Sequence, residues 1–438
     1  NKTKMPEAKS LQMYETEQKY IAAGLQSIAS KTKMALSHGQ GSTITDVDGN
    51  TYIDFVAGVC VASVGHAHPK YVKAISDQVG KISVGSQTTE NRLRFLERLV
   101  PLLPGELSRI QFYSSGAEAV EAAVRLAKSY TKKFELVSFT GGFHGKTNLT
   151  MALSSGDLRY GLGPFVPGIH VMPYGDCYRC PIKMDYPQCD IACIDVARKQ
   201  LKRESAGAIA AIILEPIQGT AGNVVPPAEF IRGVWEIARE FDALVIADEM
   251  ITGFGRTGRM FGCDNWGVVP DIMVMGKGIA SGFPLSAIAT TDEINKAEPF
   301  AKPSGSSSSY GGNPLASAAA RAALDIILDE GLVENSARMG EHMLGRLKDM
   351  SSRYSFLGDI RGRGLMIGVD LVADRDTREL LSRDLTERLF QEALRRGLLA
   401  FVYSPRIRLN PPLVIDKKTL DAGLDMLDES FEVINKIA

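Results

Sequence analysis

Several apolar runs in the middle of this chain end in residues that can do chemistry. "DIMVMGKG" (271–278) closes on Lys277, framed by two glycines. "ALVIADEM" (243–250) closes on Asp248 and Glu249, and "AAIILEPI" (210–217) on Glu215. "IQFYSS" (110–115) runs into Gly116 and Ala117, small residues that open a helical pattern. A helix start offers free N–H donors and the positive end of the helix dipole, which suits a phosphate. A lysine in a tight apolar setting loses affinity for its proton and becomes a nucleophilic amine. A phosphate cradle, an acid and a lone amine, each at a strand end, are together what pyridoxal phosphate requires. The amine forms a Schiff base with the aldehyde, and the acid pairs with the pyridinium nitrogen so that the ring draws electrons. Taken singly, each of these residues is an ordinary turn, cap or ion-pair residue, so the weight lies on the set.

The elements that must position them are legible as well. Further strand-like runs occur at "ELVSFTGG" (135–142) and "GIHVMP" (168–173). "EAVEAAVRLAKSY" (118–130) and "AEFIRGVWEIAREFD" (228–242) place apolar residues at spacings of three and four, the helical period. Apolar strands alternating with helices predict an α/β fold with a mainly parallel sheet covered on both faces. Ligands of such sheets gather at the carboxyl ends of the strands. After Pro314 the pattern changes to long helical runs around "RGLMIGVDLV" and "RLNPPLVI", which predicts a separate α+β domain. The expected division is 1–65 as a segment joining the small domain, 66–313 as the large domain and 314–438 as the small one.

Composition narrows the class. The 438 residues allow more than one domain, and 45% hydrophobic with 23% charged residues is ordinary globular usage. A formal net charge of −1 predicts no attraction to nucleic acid or anionic membrane. The longest apolar run, near Ala206–Leu214, falls far short of the roughly 20 residues that span a bilayer. The polar start "NKTKMPEAKS" has no apolar core, so no signal peptide is expected, and its Asn1 implies that a few residues precede it. A cytoplasmic, reducing setting is expected, because six cysteines in a chain of this length do not make a disulfide scaffold. "SFTGGFHGKT" carries a "GKT", but the phosphate loop of nucleotide hydrolases needs a glycine where Thr140 stands. His66 and His68 in "GHAHP" read as packing and turn residues. Cys177, Cys180, Cys189 and Cys193 have a spacing that could supply four thiolates, but the eight-residue interval is shorter than in the usual zinc finger, and no metal is expected.

In order and spacing the motifs resemble the class III, or omega, aminotransferases, the family of 4-aminobutyrate and ornithine aminotransferases. The resemblance runs from "DVDGNTYIDFVAGVCVASVGHAHP" through "SSGAEAVEAAVRLAK", "FTGGFHGKT", "LEPIQGTAG", "IADEMITGFGRTGRM", "MGKGIASGFPLSA" and "SYGGNPLASAAA" to "RGRGLMIGVDL" and "RLNPPLVI". It implies the type I pyridoxal-phosphate fold, with a mostly parallel seven-stranded sheet and a smaller α+β domain. It implies Lys277 as the Schiff-base lysine, Asp248 as the pyridinium partner, and Ser115, Gly116 and Ala117 as the phosphate cradle. Phe143 stacks on the ring, and His144 and Ile251 complete the cofactor set. Ser309 matches a residue that reaches the phosphate held by a neighbouring subunit, so a homodimer with shared sites, or a tetramer, is expected. Arg408 matches the arginine that grips an α-carboxylate, and Glu215 the glutamate that neutralises it when an ω-amine is bound. Three departures bear on the substrate. Ile251 replaces the glutamine of 4-aminobutyrate enzymes, and Lys146 replaces their arginine for the far carboxylate. Val59 replaces the glutamine of dialkylglycine decarboxylase. The implied reaction moves an amino group from an ω-amino acid or amine to 2-oxoglutarate or pyruvate. Racemisation of an amino acid at the same site is the alternative.

Overall fold

The structure, a computed structural model, describes residues 5–437. The chain forms two compact units. One is the chain up to Pro69 together with the chain from Asn335 onward, and the other is Lys70–Glu334.

The larger unit is built on seven strands: β1 Arg109–Tyr113, β2 Glu135–Phe139, β3 Ile169–Met172, β4 Ile209–Leu214, β5 Leu244–Asp248, β6 Ile272–Met275 and β7 Ser286–Thr290. Their order across the sheet is β1-β7-β6-β5-β4-β2-β3. Neighbours from β3 to β6 pair in parallel, and β7 lies antiparallel between β6 and β1. This is the α/β class expected from the sequence. β7 is the strand the apolar runs do not disclose: "SAIAT" is short and small, and no polar break separates it from the segment before.

Strands β4, β5 and β6 are buried along their whole length, which a sheet covered on both faces demands. Side chains alternate between the two faces. Ile213, Ile246, Ile272, Val274 and Ile288 meet Val120, Ala123 and Ala127 of helix α1, Gly116–Thr131. On the opposite face Val137, Ile212, Leu214 and Val245 meet α2, Ala192–Glu204, and α3, Ala228–Glu240, through Ile194, Leu201, Phe230 and Val234.

Helix α4, Pro314–Asp329, corrects one expected boundary. The pattern change at Pro314 marks a helix start, with Asn313 as its cap and proline in its first turn, and not the edge of a unit. The alanine-rich α4 packs on the helix Glu90–Leu99 and on the turn Lys277–Ala280, and this contact keeps it in the larger unit.

The smaller unit holds two sheets. In one, Thr51–Asp54 of the N-terminal segment pairs in parallel with Leu398–Leu399, so this sheet joins the two ends of the chain. The other is Leu357–Arg363, Met366–Leu371 and Arg406–Leu409. The expected "RLNPPLVI" strand stops at Leu409, because Pro411 and Pro412 have no N–H to give a ladder. Among the described residues no helix is long and apolar enough to cross a membrane.

Candidate active site

The register of the sheet brings the chemical residues to one edge. Leu214 stands beside Ala247, and Asp248 beside Val274. Glu215, Asp248 and Lys277 therefore leave three adjacent strands at the same end. β1 ends there too, and antiparallel β7 begins there, with Ser286 opposite Tyr113. Ser286 Oγ donates to the Ser115 carbonyl at 2.6 Å and ties the start of α1 to the sheet.

Asp248 is 3% exposed. Its Oδ2 lies 2.8 Å from His144 Nδ1, and its Oδ1 accepts from the Met250 N–H. His144 is buried as well, and its own N–H donates to Ser154 Oγ. Burial by itself disfavours a charged ring. The bonded Asp248 carboxylate, with Glu215 beyond it, nevertheless holds the His144 pKa above its ordinary value. The two buried groups form a braced pair whose other carboxylate lone pairs can face a ring nitrogen.

Glu215 accepts from the backbone N–H of Phe143 and of Gly219, both at 2.9 Å. Burial pushes its carboxyl up to about 7; Asp248 adds to the rise, while His144 and the two amides oppose it. A carboxyl whose folded pKa is raised stabilises the fold below its unfolded pKa, and that stability is lost as pH rises through the folded value. In cofactor-free protein, Glu215→Gln should gain about 1–3 kcal/mol on the wild type between pH 5 and 8. Denaturant titrations at several pH values check this, and parallel stability curves would contradict it.

Lys277 follows β6 through Gly276 and is half-buried at the start of a short turn. Its φ is +43°, a left-handed conformation that is strained for any residue with a side chain. Met250 is wedged beneath this corner. A Cβ on Gly276 would lie 2.1 Å from Met250 Sδ, and one on Gly116 would lie 3.1 Å from it. One methionine thus accounts for two glycines, one at the lysine and one at the helix start.

Ser115 caps α1: its Oγ accepts from the Glu118 N–H, and Glu118 Oε2 accepts from the Ser115 N–H. Gly116 and Ala117 are the first helical residues, whose N–H groups a helix cannot pair internally. These residues fit pyridoxal phosphate. The helix start has donors for a phosphate, the buried and braced acid suits a pyridinium, and the amine sits at a neighbouring strand end.

Ile251 is buried, and a Cβ on Gly219 would come within 2.4 Å of its Cδ1, so Gly219 makes the room that Ile251 fills. Phe143 is half-buried, and Lys146 is exposed on the loop that follows it. Ser309 is exposed. Val59 and Arg408 belong to the smaller unit. Val59 is the third of four successive left-handed residues, Ala57 to Cys60, and a β-branched side chain is rare in that conformation. Arg408 lies in the strand Arg406–Leu409, with its guanidinium 4.7 Å from the Phe401 ring centre. His66, expected to be structural, pairs with Asp54 at 2.8 Å.

Sequence reasoning missed Met250, Ser286 and Gly219. It also gave no role to Glu249, which is fully buried and bonded to Thr252 and to the N–H groups of Gly262 and Cys263. Glu249 ties down the loop that carries Ile251. The six cysteines are free thiols. Burial first, then the neighbouring cysteines, push the Cys177 thiol up to about 12.

Comparison with known proteins gives the family. Residues 26–431 match the family described as Aminotransferase class-III. The leucine/methionine racemase of Thermococcus litoralis is 36% identical over 398 residues, which are 90% of this chain and 89% of that protein. The 4-aminobutyrate aminotransferase of Mycobacterium leprae is 36% identical over 406 residues, 90% of this chain and 89% of that one. Among solved structures, a PLP-bound amine transaminase from an uncultivated Pseudomonas species superposes with a TM-score of 0.88 at 32% identity, covering 95% of this chain and 98% of that chain.

Proposed function

This chain belongs to the class-III aminotransferase family, and from that premise we propose that it moves an amino group from an ω-amino acid or amine to a 2-oxo acid, 2-oxoglutarate or pyruvate. The observation that carries this reading is the sheet edge where Lys277, the Asp248–His144 pair and the start of α1 meet. Pyridoxal 5'-phosphate, when bound, supplies an aldehyde for the donor amine and a ring that draws electrons from the adjoining carbon.

The chain's own residues do the rest. Ser115, Gly116 and Ala117 hold the phosphate, and Phe143 covers the ring. Asp248 keeps a negative charge at the ring nitrogen, and His144 keeps Asp248 in place. Lys277 Nζ takes the proton from the amine-bearing carbon as general base and delivers it as general acid. Arg408 takes the α-carboxylate of the acceptor. Glu215 balances charge when the donor lacks one, so one enzyme serves both half-reactions in ping-pong order. Ser309 is assigned to the phosphate of a second subunit, which makes the working form a homodimer. A fully active monomer in sedimentation at assay concentration would remove that part of the reading.

A screen of amine donors against pyruvate and 2-oxoglutarate tests the activity. Aldehyde or ketone formed in step with a new amino acid is the expected result. Amino-acid racemisation is the second reading, and the racemases among the similar proteins favour it. There Lys277 would serve a carbon whose proton returns to the opposite face. Inversion of an amino acid with no 2-oxo acid present would decide for it.

Lys146 is assigned to the donor's far end. An ammonium on a flexible stem lacks the rigid fork of arginine, so selection for one chain length should be loose, with 4-aminobutyrate not clearly best. Lys146→Ala should raise KM for carboxylate-tailed donors by the equivalent of about 1–3 kcal/mol. Kinetics of the 2-oxo acid should change much less. Equal loss with uncharged amines would show that Lys146 does not read the tail.

A further inference from the structure

The connection from β3 to α2, residues 173–191, contains neither strand nor helix. A structureless loop this long is uncommon inside a compact unit and needs something to hold it. Its few backbone bonds are local, such as Lys183 N–H to the Cys180 carbonyl and Cys189 N–H to the Asp185 carbonyl. Cys177, Cys180, Cys189 and Cys193 all line one cavity, which Tyr174 and Phe230 close from the core side. The cavity measures about 10 Å³, room for about one water-sized particle. Each of the four sulfurs lies within electrostatic reach of others in the set. None is in a disulfide.

We propose that Cys177, Cys180, Cys189 and Cys193 form a tetrathiolate site for a single zinc ion, which closes this loop onto the core.

Two pairs supply the ligands. Cys177 and Cys180 come from one turn of the loop. Cys189 lies near the end of the loop, and Cys193 lies in the first turn of α2. Four soft thiolates select zinc or an iron–sulfur cluster, and space for one particle selects the single ion. Among the described residues no three histidine, cysteine or acidic side chains already stand together to hold an ion, so the thiols line the cavity without meeting in it. A zinc–sulfur bond of about 2.3 Å places tetrahedral ligands ~3.8 Å apart. Binding must therefore draw the loop inward, and the ion replaces the secondary structure that the loop lacks. Thiol protons leave to solvent as the bonds form, and no electron is transferred.

The test uses the full-length holoenzyme, purified reduced and without chelator, with metal measured by plasma mass spectrometry. About one zinc per chain is expected. A mercurial should release it to a zinc-sensitive dye as four thiols react. Cys177→Ser with Cys180→Ser should lower the zinc at least fivefold and expose residues 173–191 to protease. The wild-type measurement stands even if that variant misfolds. Wild-type protein that retains no zinc after incubation with excess zinc chloride and desalting would overturn the proposal. So would iron with acid-labile sulfide, or two disulfides found by mass spectrometry in freshly isolated protein.

Discussion

Lys277→Ala lowers transamination by at least about 10⁴-fold while leaving the chain folded; this is the largest effect expected of any single change. The loss combines the nucleophilic amine with the proton carrier, and the carrier alone contributes about 10²–10⁴-fold. The substitution is clean. Lysine and alanine carry the same backbone penalty at a φ of +43°, so no new strain enters. The apolar strand Ile272–Met275 that precedes it is untouched. Circular dichroism and melting should match the wild type, while single-turnover kinetics collapse. Substantial turnover without an added amine to rescue it would refute the role given to Lys277.

Asp248→Asn is expected to lower turnover about 10²–10³-fold, the usual consequence of removing one preorganised electrostatic group. Asparagine keeps the shape and can still bond to His144 across the 2.8 Å gap. It cannot keep a negative charge in a site that is 3% exposed. A second readout separates this from simple misfolding. Asp248 is what holds the His144 pKa up against burial, so in the variant that pKa should fall. Imidazole proton resonances followed against pH report it. Wild-type turnover, or an unchanged His144 titration, would show that the pair does not work as described.

The candidate residues stood out because each stands where ordinary sequence statistics would not place it. A lysine between glycines at the end of a fully apolar run has no surface explanation. Asp248 and Glu215 likewise end runs that cannot be exposed. Six of the seven strands show as apolar runs because a sheet covered on both faces needs apolar residues at nearly every position, whatever the alternation. β7 hides because its small residues continue the stretch after Lys277. The strand Leu357–Arg363 hides because glycines and charges interrupt its apolar pattern.

The order and spacing of the motifs carried the resemblance to the family, and residue types and local periodicity pointed to the α/β class and to the candidate amine, acid and helix start. These properties belong to single segments, and a segment carries its pattern wherever it is placed. Only the tertiary structure decided which segments are neighbours. The His144–Asp248 pair joins residues 104 positions apart. Met250 beneath two glycines, Ser286 on the Ser115 carbonyl and the two amides on Glu215 also come from strand register and loop course. The placement of α4 in the larger unit and the convergence of four cysteines on one cavity have the same origin. Their physical basis is burial. A polar group removed from water must find its partner in whatever chain the packing brings beside it, and no local pattern in the sequence names that partner.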